Sequence, residues 1–149
     1  KMRCNHEGIA IIKKYEGCSL SCYLDPVGIP TIGFGSIWDL NHARLRRSHR
    51  DITEDEAEYL LKRELLSTEN AVARMVKTPL TANQFSALCC LVYNVGSGRF
   101  RSSTIRMKLN RKDFKGAANE FWKWRRAGGR VLRGLVRRRA EEEKLFIKK

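Results

Sequence analysis

The sequence lacks any long apolar run. Its apolar stretches, such as residues 86–92, are far shorter than the roughly 18 residues that a membrane-spanning helix needs. No hydrophobic segment of the secretory type and no repeat is present, so we expect no signal sequence and no stable membrane insertion of this chain. The 149 residues correspond to about one domain. This length excludes a repeat array and a large multidomain enzyme.

A paired set of cysteines is also missing. The chain has 5 cysteines, an odd number, which excludes a closed disulfide framework because at least one thiol stays free or pairs between chains. Cys18 and Cys22 are followed by no His-x-x-x-His pair and the 3 histidines are scattered, so we expect no metal site. Cys89 and Cys90 lie in an apolar run and are predicted to fill the core.

Acidic residues are scarce in the last third of the chain. The whole sequence has 30 Lys and Arg against 16 Asp and Glu, a net charge of +14. Residues 97–149 contain 18 basic and 5 acidic residues, whereas residues 1–96 contain 12 and 11. Such a field attracts a polyanion, which could be nucleic acid, an anionic membrane or a cell wall with phosphates and carboxylates. Charge alone does not choose among these partners.

Local signals predict a mainly helical α+β fold with one small hairpin. Residues 25–28 have the Asp-Pro-x-Gly signature of a type I turn, and Thr53 with Glu56 and Thr81 with Gln84 form two capping boxes. The predicted elements are a helix from Asn5 to Glu16 that stops at Gly17, strands at 20–24, 30–34 and 36–40, a polar loop at 41–52, a long helix at 54–76, a helix from Thr81 to Gly96, and shorter helices at 103–109, 113–124 and 135–146.

Glu16, Asp25 and Thr31 are the candidate catalytic residues. Glu16 ends the first helix, and the other two lie on either side of the hairpin turn, so one connection can bring all three to one cleft wall. A carboxyl group in the last turn of a helix faces the negative end of the helix dipole, which favours its protonated form. Glycosidic cleavage uses such a carboxylic acid together with an ionised carboxylate. Spacing alone leaves a second interpretation open, in which the three are a solvated helix end, a turn former and an ordinary strand residue.

Residues 16–35 contain a Glu-x8-Asp-x5-Thr spacing, which fits Glu16, Asp25 and Thr31 without a gap. This stretch resembles the catalytic signature of the phage-type lysozymes, glycoside hydrolase family 24. The resemblance is closest to the endolysins of lambdoid-like bacteriophages and covers nearly the whole chain in order. It continues through the segments 80–85, 93–98, 127–132 and 134–139.

The resemblance implies a single lysozyme-like catalytic domain over residues 1–149. A small β-containing lobe at about 15–55 and a helical lobe at about 78–149, with the first helix, would be joined by the helix at 54–76. The family hydrolyses the β-1,4 bond between N-acetylmuramic acid and N-acetylglucosamine in peptidoglycan, generally with inversion and without a cofactor. By this resemblance, the partner is peptidoglycan and the enzyme is a monomer, made in the host cytoplasm and acting on the wall in the periplasm.

The resemblance also implies a role for individual residues. Glu16 would be the general acid, and Asp25 with Thr31 would position the attacking water. An arginine of the run 137–139 would face Glu16, and the count along the chain favours Arg138. The implied substrate-binding residues are Ile37, Tyr93, Asn94, Thr104 and Arg138. The chain departs from the family at Ser36, where some relatives have a histidine, at Glu120, where one has a substrate-binding amide, and at Arg133, where a proline is common.

Two other function classes fit the charge. A nucleic-acid-binding module is suggested by the basic tail with Trp122 and Trp124 within it. Against it, both tryptophans and Phe121 fall among apolar residues at helical spacing, which predicts that they are core residues. A membrane-active basic helix at 130–149 is the other alternative, although its apolar face is small. The muramidase interpretation needs no nucleic acid and uses the basic charge to attract anionic walls.

Overall fold

Side chains cap the helices where the sequence predicts their starts. In the computed structural model, which describes residues 1–149, Asn5 Oδ1 accepts a hydrogen bond from Gly8 N at 3.1 Å and so begins the first helix. The helices are α1 His6–Glu16, α2 Glu54–Met75, α3 Ala82–Val95, α4 Ser97–Arg101, α5 Thr104–Asn110, α6 Phe114–Ala118 and α7 Arg133–Ile147, with a 3-10 helix at Phe121–Lys123. The strands are β1 Ser19–Leu24, β2 Pro30–Gly33, β3 Arg126–Ala127 and β4 Arg130–Val131.

Both predicted capping boxes are present. Thr53 Oγ1 accepts from Glu56 N at 3.1 Å, and Glu56 Oε1 accepts from Thr53 N at 2.9 Å. Thr81 and Gln84 make the same reciprocal pair at the start of α3, at 3.0 and 2.9 Å. Each pair satisfies backbone N–H groups that have no partner within the helix. The starts of α2 and α3 are therefore encoded locally.

The structure confirms the predicted hairpin, whereas the prediction of a third strand at 36–40 is wrong. β1 pairs with β2 in antiparallel register, with Tyr23 opposite Thr31. Residues 36–40 form only isolated bridges, because Gly33 and Gly35 have φ angles of +65° and +82° and turn the chain back on β2. Ser36 N then donates to Ile32 O at 2.8 Å. We refer to residues 18–52, the hairpin with its following loops, as the hairpin region.

Buried apolar side chains form two separate cores. The large core has 24 buried residues and lies among the helices, where α3 packs against α1, α2 and α7. The small core has 5 buried residues, namely Ile32, Leu45, Ile52, Ala57 and Leu60. The first turns of α2 contribute to the small core and its later turns to the large one. None of the helices is long and apolar enough to cross a membrane.

The predicted helix at 113–124 is wrong in part. It ends at Ala118, and a 3-10 turn follows, so side chains after that point no longer keep the helical spacing. Phe121 is buried as predicted, but Trp122 is 49% exposed and lies beneath the guanidinium of Arg125, 4.9 Å from the ring centroid. The prediction of Trp122 as a core residue is therefore wrong. The short helix α4 and the β3–β4 hairpin were not predicted.

Candidate active site

Glu16 lies at the C-terminal end of α1. Gly17, with a φ of +65°, ends the helix and donates from its N–H to Lys13 O at 3.0 Å, which turns the chain away directly after the glutamate. The Glu16 side chain is 17% exposed, and its Oε2 accepts a hydrogen bond from Arg138 Nη1 at 2.7 Å. The other oxygen, Oε1, accepts none. Glu16 thus has one occupied and one available carboxylate oxygen.

Gly35 lies against the Glu16 carboxyl group. A Cβ at this position would collide with Oε1 and lie 3.0 Å from Glu16 Cδ. The φ of +82° is also one that side chains other than glycine rarely adopt. Any side chain here would displace the carboxyl group, so Gly35 keeps the space beside Oε1 open. Gly35 was not predicted as a site residue.

Arg138 is held from three directions on α7. Besides Glu16, its guanidinium donates from Nε to Glu142 Oε2 at 3.0 Å and from Nη2 to the backbone carbonyl of Cys90 at 3.0 Å. Burial lowers the pKa of Arg138, but the Glu16 and Glu142 carboxylates outweigh burial and hold that pKa above its usual range. Arg138 therefore remains a cation beside Glu16.

Asp25 is bound by the backbone of its own turn. Its Oδ1 accepts from Val27 N at 2.9 Å and from Ile29 N at 2.8 Å, and its carbonyl oxygen accepts from Gly28 N at 2.9 Å. These bonds form the turn that the Asp-Pro-x-Gly signature predicts. Oδ2 accepts no hydrogen bond. Asp25, like Glu16, therefore has one bound oxygen and one available oxygen.

Thr31 is buried in β2. Its hydroxyl donates to Ile29 O at 2.9 Å. With the hydroxyl proton used in that bond, the lone pairs of Oγ1 remain able to accept a hydrogen bond. Thr31 lies opposite Tyr23 in the hairpin, and one residue, Leu24, separates Tyr23 from Asp25 along the chain.

Two tyrosines connect the candidate residues. Burial, Glu16 and Asp25 together raise the pKa of Tyr23, so this phenol lies in the field of both carboxyl groups. Tyr93 donates from its hydroxyl to Phe34 O at 2.9 Å, and burial followed by Glu16 raises its pKa. Tyr23 therefore lies near both Glu16 and Asp25, and Tyr93 lies near Glu16. Tyr23 was not predicted as a site residue, although it lies within the signature.

The remaining predicted substrate-binding residues make no contact with Glu16 or Asp25 among the side-chain hydrogen bonds. Ile37 is half-buried in the loop after the hairpin, and Asn94 is exposed at the end of α3, where its side chain makes no hydrogen bond. Thr104 is exposed at the start of α5 and lines two neighbouring cavities of about 300 and 460 Å³. Neither cavity is lined by Glu16 or Asp25.

Two of the three departures from the family, Ser36 and Glu120, have local partners. Ser36 is buried, and its hydroxyl lies 2.6 Å from Glu64 Oε1 on α2, beneath the hairpin. Glu120 is buried and forms ion pairs with Lys108 at 3.1 Å and Lys123 at 2.8 Å. Burial raises the pKa of Glu120, but the two lysines outweigh it and hold that pKa below its usual range. Glu120 is therefore an ionised carboxylate at the edge of the larger cavity.

Known proteins match this sequence and fold over nearly their full length. The family model described as phage lysozyme matches residues 13–142. An endolysin of Acyrthosiphon pisum secondary endosymbiont phage 1 is 38% identical, with 97% of this chain and 98% of that protein covered. The solved structure of an endolysin from Escherichia coli O157:H7 phage FAHEc1 superposes with a TM-score of 0.86 at 31% identity, covering 98% of this chain and 94% of that one. The muramidase domain of SpmX from Asticaccaulis excentricus also gives 0.86 and 31%, with both chains fully covered.

Proposed function

The chain belongs to the phage lysozyme family, and from that membership we propose that it hydrolyses the β-1,4 bond between N-acetylmuramic acid and N-acetylglucosamine. It is a lysozyme of the endolysin type, an enzyme that acts on bacterial peptidoglycan. Beyond this activity on peptidoglycan, we propose which bond is cleaved and which residues cleave it. One observation supports it: Tyr23 lies near both Glu16 and Asp25, and each of these carboxyl groups has one oxygen held in place and the other available.

In the proposed reaction Glu16 is the general acid. Oε1, in the space that Gly35 keeps open, donates its proton to the glycosidic oxygen as the bond from that oxygen to the anomeric carbon breaks. The bonding electron pair goes to the leaving oxygen, and Glu16 becomes a carboxylate. Arg138 stabilises that carboxylate through its 2.7 Å contact with Oε2. The contact also fixes which oxygen faces the substrate.

Asp25 and Thr31 orient the attacking water. The water donates one hydrogen to Asp25 Oδ2 and the other to Thr31 Oγ1, whose own proton is engaged by Ile29 O. A lone pair of the water then points at the anomeric carbon. Asp25 takes the proton that the water loses as the bond from the water oxygen to the anomeric carbon forms. Because the turn holds Oδ1 with two backbone N–H groups, the direction of Oδ2 is fixed before the substrate arrives.

This arrangement predicts inversion at the anomeric carbon. An inverting enzyme needs its two carboxyl groups roughly 6.5 to 9.5 Å apart so that a water fits between carboxylate and sugar. Proton NMR of the first product should then show the α-anomer, and a retained β-anomer would make Asp25 a nucleophile instead.

We further propose that residues 1–149 act as one catalytic domain and as a monomer, with Ile37, Tyr93, Asn94 and Thr104 contacting the sugar chain. The hairpin region and the helices beyond α2 would form the two walls of its cleft. In this proposal the enzyme is made in the host cytoplasm and acts on the wall in the periplasm. The 18 basic residues within 97–149 supply attraction to anionic walls.

Lysis assays on single variants test the proposal. Glu16→Gln keeps the shape of the side chain but cannot deliver a proton, so we expect a loss of about 10²- to 10⁴-fold or more in the clearing rate of purified peptidoglycan. Asp25→Asn should lose activity to a similar degree, and Thr31→Ala should lose less, because it removes only one acceptor of the water.

A matched control lies on the same helix. Glu7 is at the other end of α1, exposed and paired with Lys148, so Glu7→Gln makes the same chemical change away from the site and should lyse at the wild-type rate. Circular dichroism of every variant reports folding. A folded Glu16→Gln enzyme that clears peptidoglycan as fast as wild type would overturn the mechanism.

A further inference from the structure

Glu142 is a completely buried carboxylate next to the active site. It lies on α7 with no exposed side-chain surface, between two buried arginines of the same helix. Its Oε2 accepts from Arg138 Nε at 3.0 Å and from Arg139 Nη2 at 2.9 Å, and its Oε1 lies 2.7 Å from Arg139 Nε. The i,i+3 and i,i+4 spacing puts all three side chains on one face of the helix.

A cluster of this kind is not explained by stability. The free energy needed to remove two cations and a carboxylate from water usually exceeds the free energy gained from their mutual attraction. Apolar side chains of similar size often stabilise a core better. The helix that packs against α7 here, α3, contributes mostly buried residues of the large core. We therefore look for the function of the cluster in its effect on Glu16, its one partner in the site.

Geometry joins Glu142 to Glu16 through a single guanidinium. Because a guanidinium is planar, fixing Nε on Glu142 and Nη2 on the carbonyl of Cys90 fixes its plane and hence the direction of Nη1. That third nitrogen is the one that contacts Glu16 Oε2. Arg139 in turn holds Glu142, while its own Nη1 donates to Trp124 O at 3.2 Å.

We propose that Glu142 is a positioning residue for the reaction: it fixes the plane of Arg138 against Glu16 and balances the charge of Arg139. The inference rests on the proposed role of Glu16 as the general acid. With Glu142 in place, the two arginines and Glu142 present one net positive charge to Glu16. Without it, they present two.

Few other ionisable groups face this cluster. From α3, Cys90 and Tyr93 do so, and both pKa values are raised, that of Cys90 by its hydrogen bond with Cys4 and by burial, and that of Tyr93 by burial. From β1, Tyr23 faces Glu16 and its pKa is raised as well. All three remain neutral around neutral pH. The groups of α1 that reach α7, Lys14 and Tyr15, contact Glu141 and not Glu142.

The test is the pH profile of peptidoglycan cleavage by Glu142→Gln. We expect the rate to fall by about 10- to 100-fold, because Arg138 no longer holds Glu16 in place. We also expect the alkaline limb of the profile to move to lower pH, because a second positive charge in the cluster favours loss of the proton from an acid beside it. A lower folded fraction reduces the rate at every pH but does not move the limb.

The next residue of the helix supplies the matched control. Glu143 makes no hydrogen bond or ion pair and is half-buried, so Glu143→Gln removes the same charge without touching Arg138. We expect the wild-type rate and profile for this variant. A shift of the same size in Glu143→Gln would mean that the effect is one of net charge, and would overturn the positioning role.

A double variant covers the case in which Glu142→Gln does not fold. Arg139→Gln with Glu142→Gln removes both charges, leaves no unpaired buried ion and should fold. We expect its alkaline limb to match wild type, while its rate stays low because Arg138 has lost the carboxylate that fixes Nε. A folded single or double variant with the wild-type rate and profile would overturn the inference. If Glu16→Gln retained lysis, the proposed function itself would fall, so the two failures are distinguishable.

Discussion

The two carboxyl groups of the site belong to regions of very different construction. Glu16 is attached to the large core, with 24 buried apolar residues, and through Arg138 to the buried ion cluster of α7. Asp25 lies in the hairpin region, whose core has only 5. There, single carboxylate oxygens hold the loops: Asp25 Oδ1 and Asp39 Oδ1 each accept two backbone N–H groups.

This difference indicates how the two residues can respond to substrate. Regions with few buried apolar contacts open at a lower free energy than the global unfolding of the protein. Glu16, the proposed general acid, is therefore held in the more stable part, while Asp25 and Thr31 can move as a unit with the hairpin. Paired substitutions in the two regions test this comparison directly.

The largest effect is expected from Leu88→Ala. Leu88 is completely buried in α3, at the centre of the large core, where surrounding helices leave little room for the cavity to collapse. We expect the free energy of unfolding to fall by about 3 to 5 kcal/mol, measured by urea denaturation with circular dichroism. A loss below about 1 kcal/mol would mean that the large core is loosely packed and that the comparison fails.

The matched substitution in the small core is Leu45→Ala. Leu45 is nearly as buried, but it lies in a loop that can partly fill the space, so we expect a smaller loss of about 2 to 3 kcal/mol. Hydrogen exchange should accelerate in residues 18–52 and stay unchanged in α1 and α3. Equal acceleration in α3 would show that the two cores unfold as one unit and would break the comparison.

The sequence predicts best what is encoded by neighbouring residues. The caps at Asn5, Thr53 and Thr81 act within three residues of themselves, and the structure has them where the sequence predicts them. The end of α6 depends on distant contacts, since Glu120 just after it is bound by Lys108 from α5. A contact from twelve residues away leaves no signal in the local spacing.

One missed element did have a local signal. Gly128 and Gly129 have φ angles of +57° and +76° and connect β3 to β4, as expected of a two-residue hairpin turn with both residues at positive φ. A Gly-Gly pair between short strands is a standard indication of such a turn, but strands of two residues are too short to show alternation.

The residues of the site also differ in how well the sequence predicts them. Glu16, Asp25 and Thr31 are within sixteen positions of one another, so spacing and resemblance could nominate them. Arg138 comes from 122 residues away, and only the resemblance pointed to it. Glu142 gave no signal at all, because it is the middle one of three consecutive glutamates, a pattern typical of a solvated helix face.

The cysteines offer a smaller test of the same comparison. Cys18 and Cys22 lie in the hairpin region and are at least partly exposed, whereas Cys4, Cys89 and Cys90 are buried in the large core, and all five are free thiols. A buried structural cysteine is inert in the native protein because a thiol reagent cannot reach it. Thiol titration should therefore find the two hairpin thiols in native protein and the other three only after denaturation. Lysis should be the same with and without reductant, and loss of lysis on reduction would instead indicate an essential bridge.

The smallest effect is expected at the two capping boxes, which differ in charge. The hydrogen bond from Arg50, and then that from Thr53, lower the pKa of Glu56 from 4.5 to about 2, whereas Gln84 in the equivalent position of α3 does not titrate. A carboxyl group whose pKa is lower in the folded state stabilises the protein above its unfolded pKa and loses that effect as the pH falls through its folded pKa. The Tm of Glu56→Gln should therefore lie below that of wild type at pH 7, with the difference shrinking between pH 4.5 and about 2. Gln84→Ala is the control, and the Tm difference that it causes should not change over that interval. A Glu56→Gln difference that persisted at the lowest pH would show that the loss of stability does not come from the charge of Glu56.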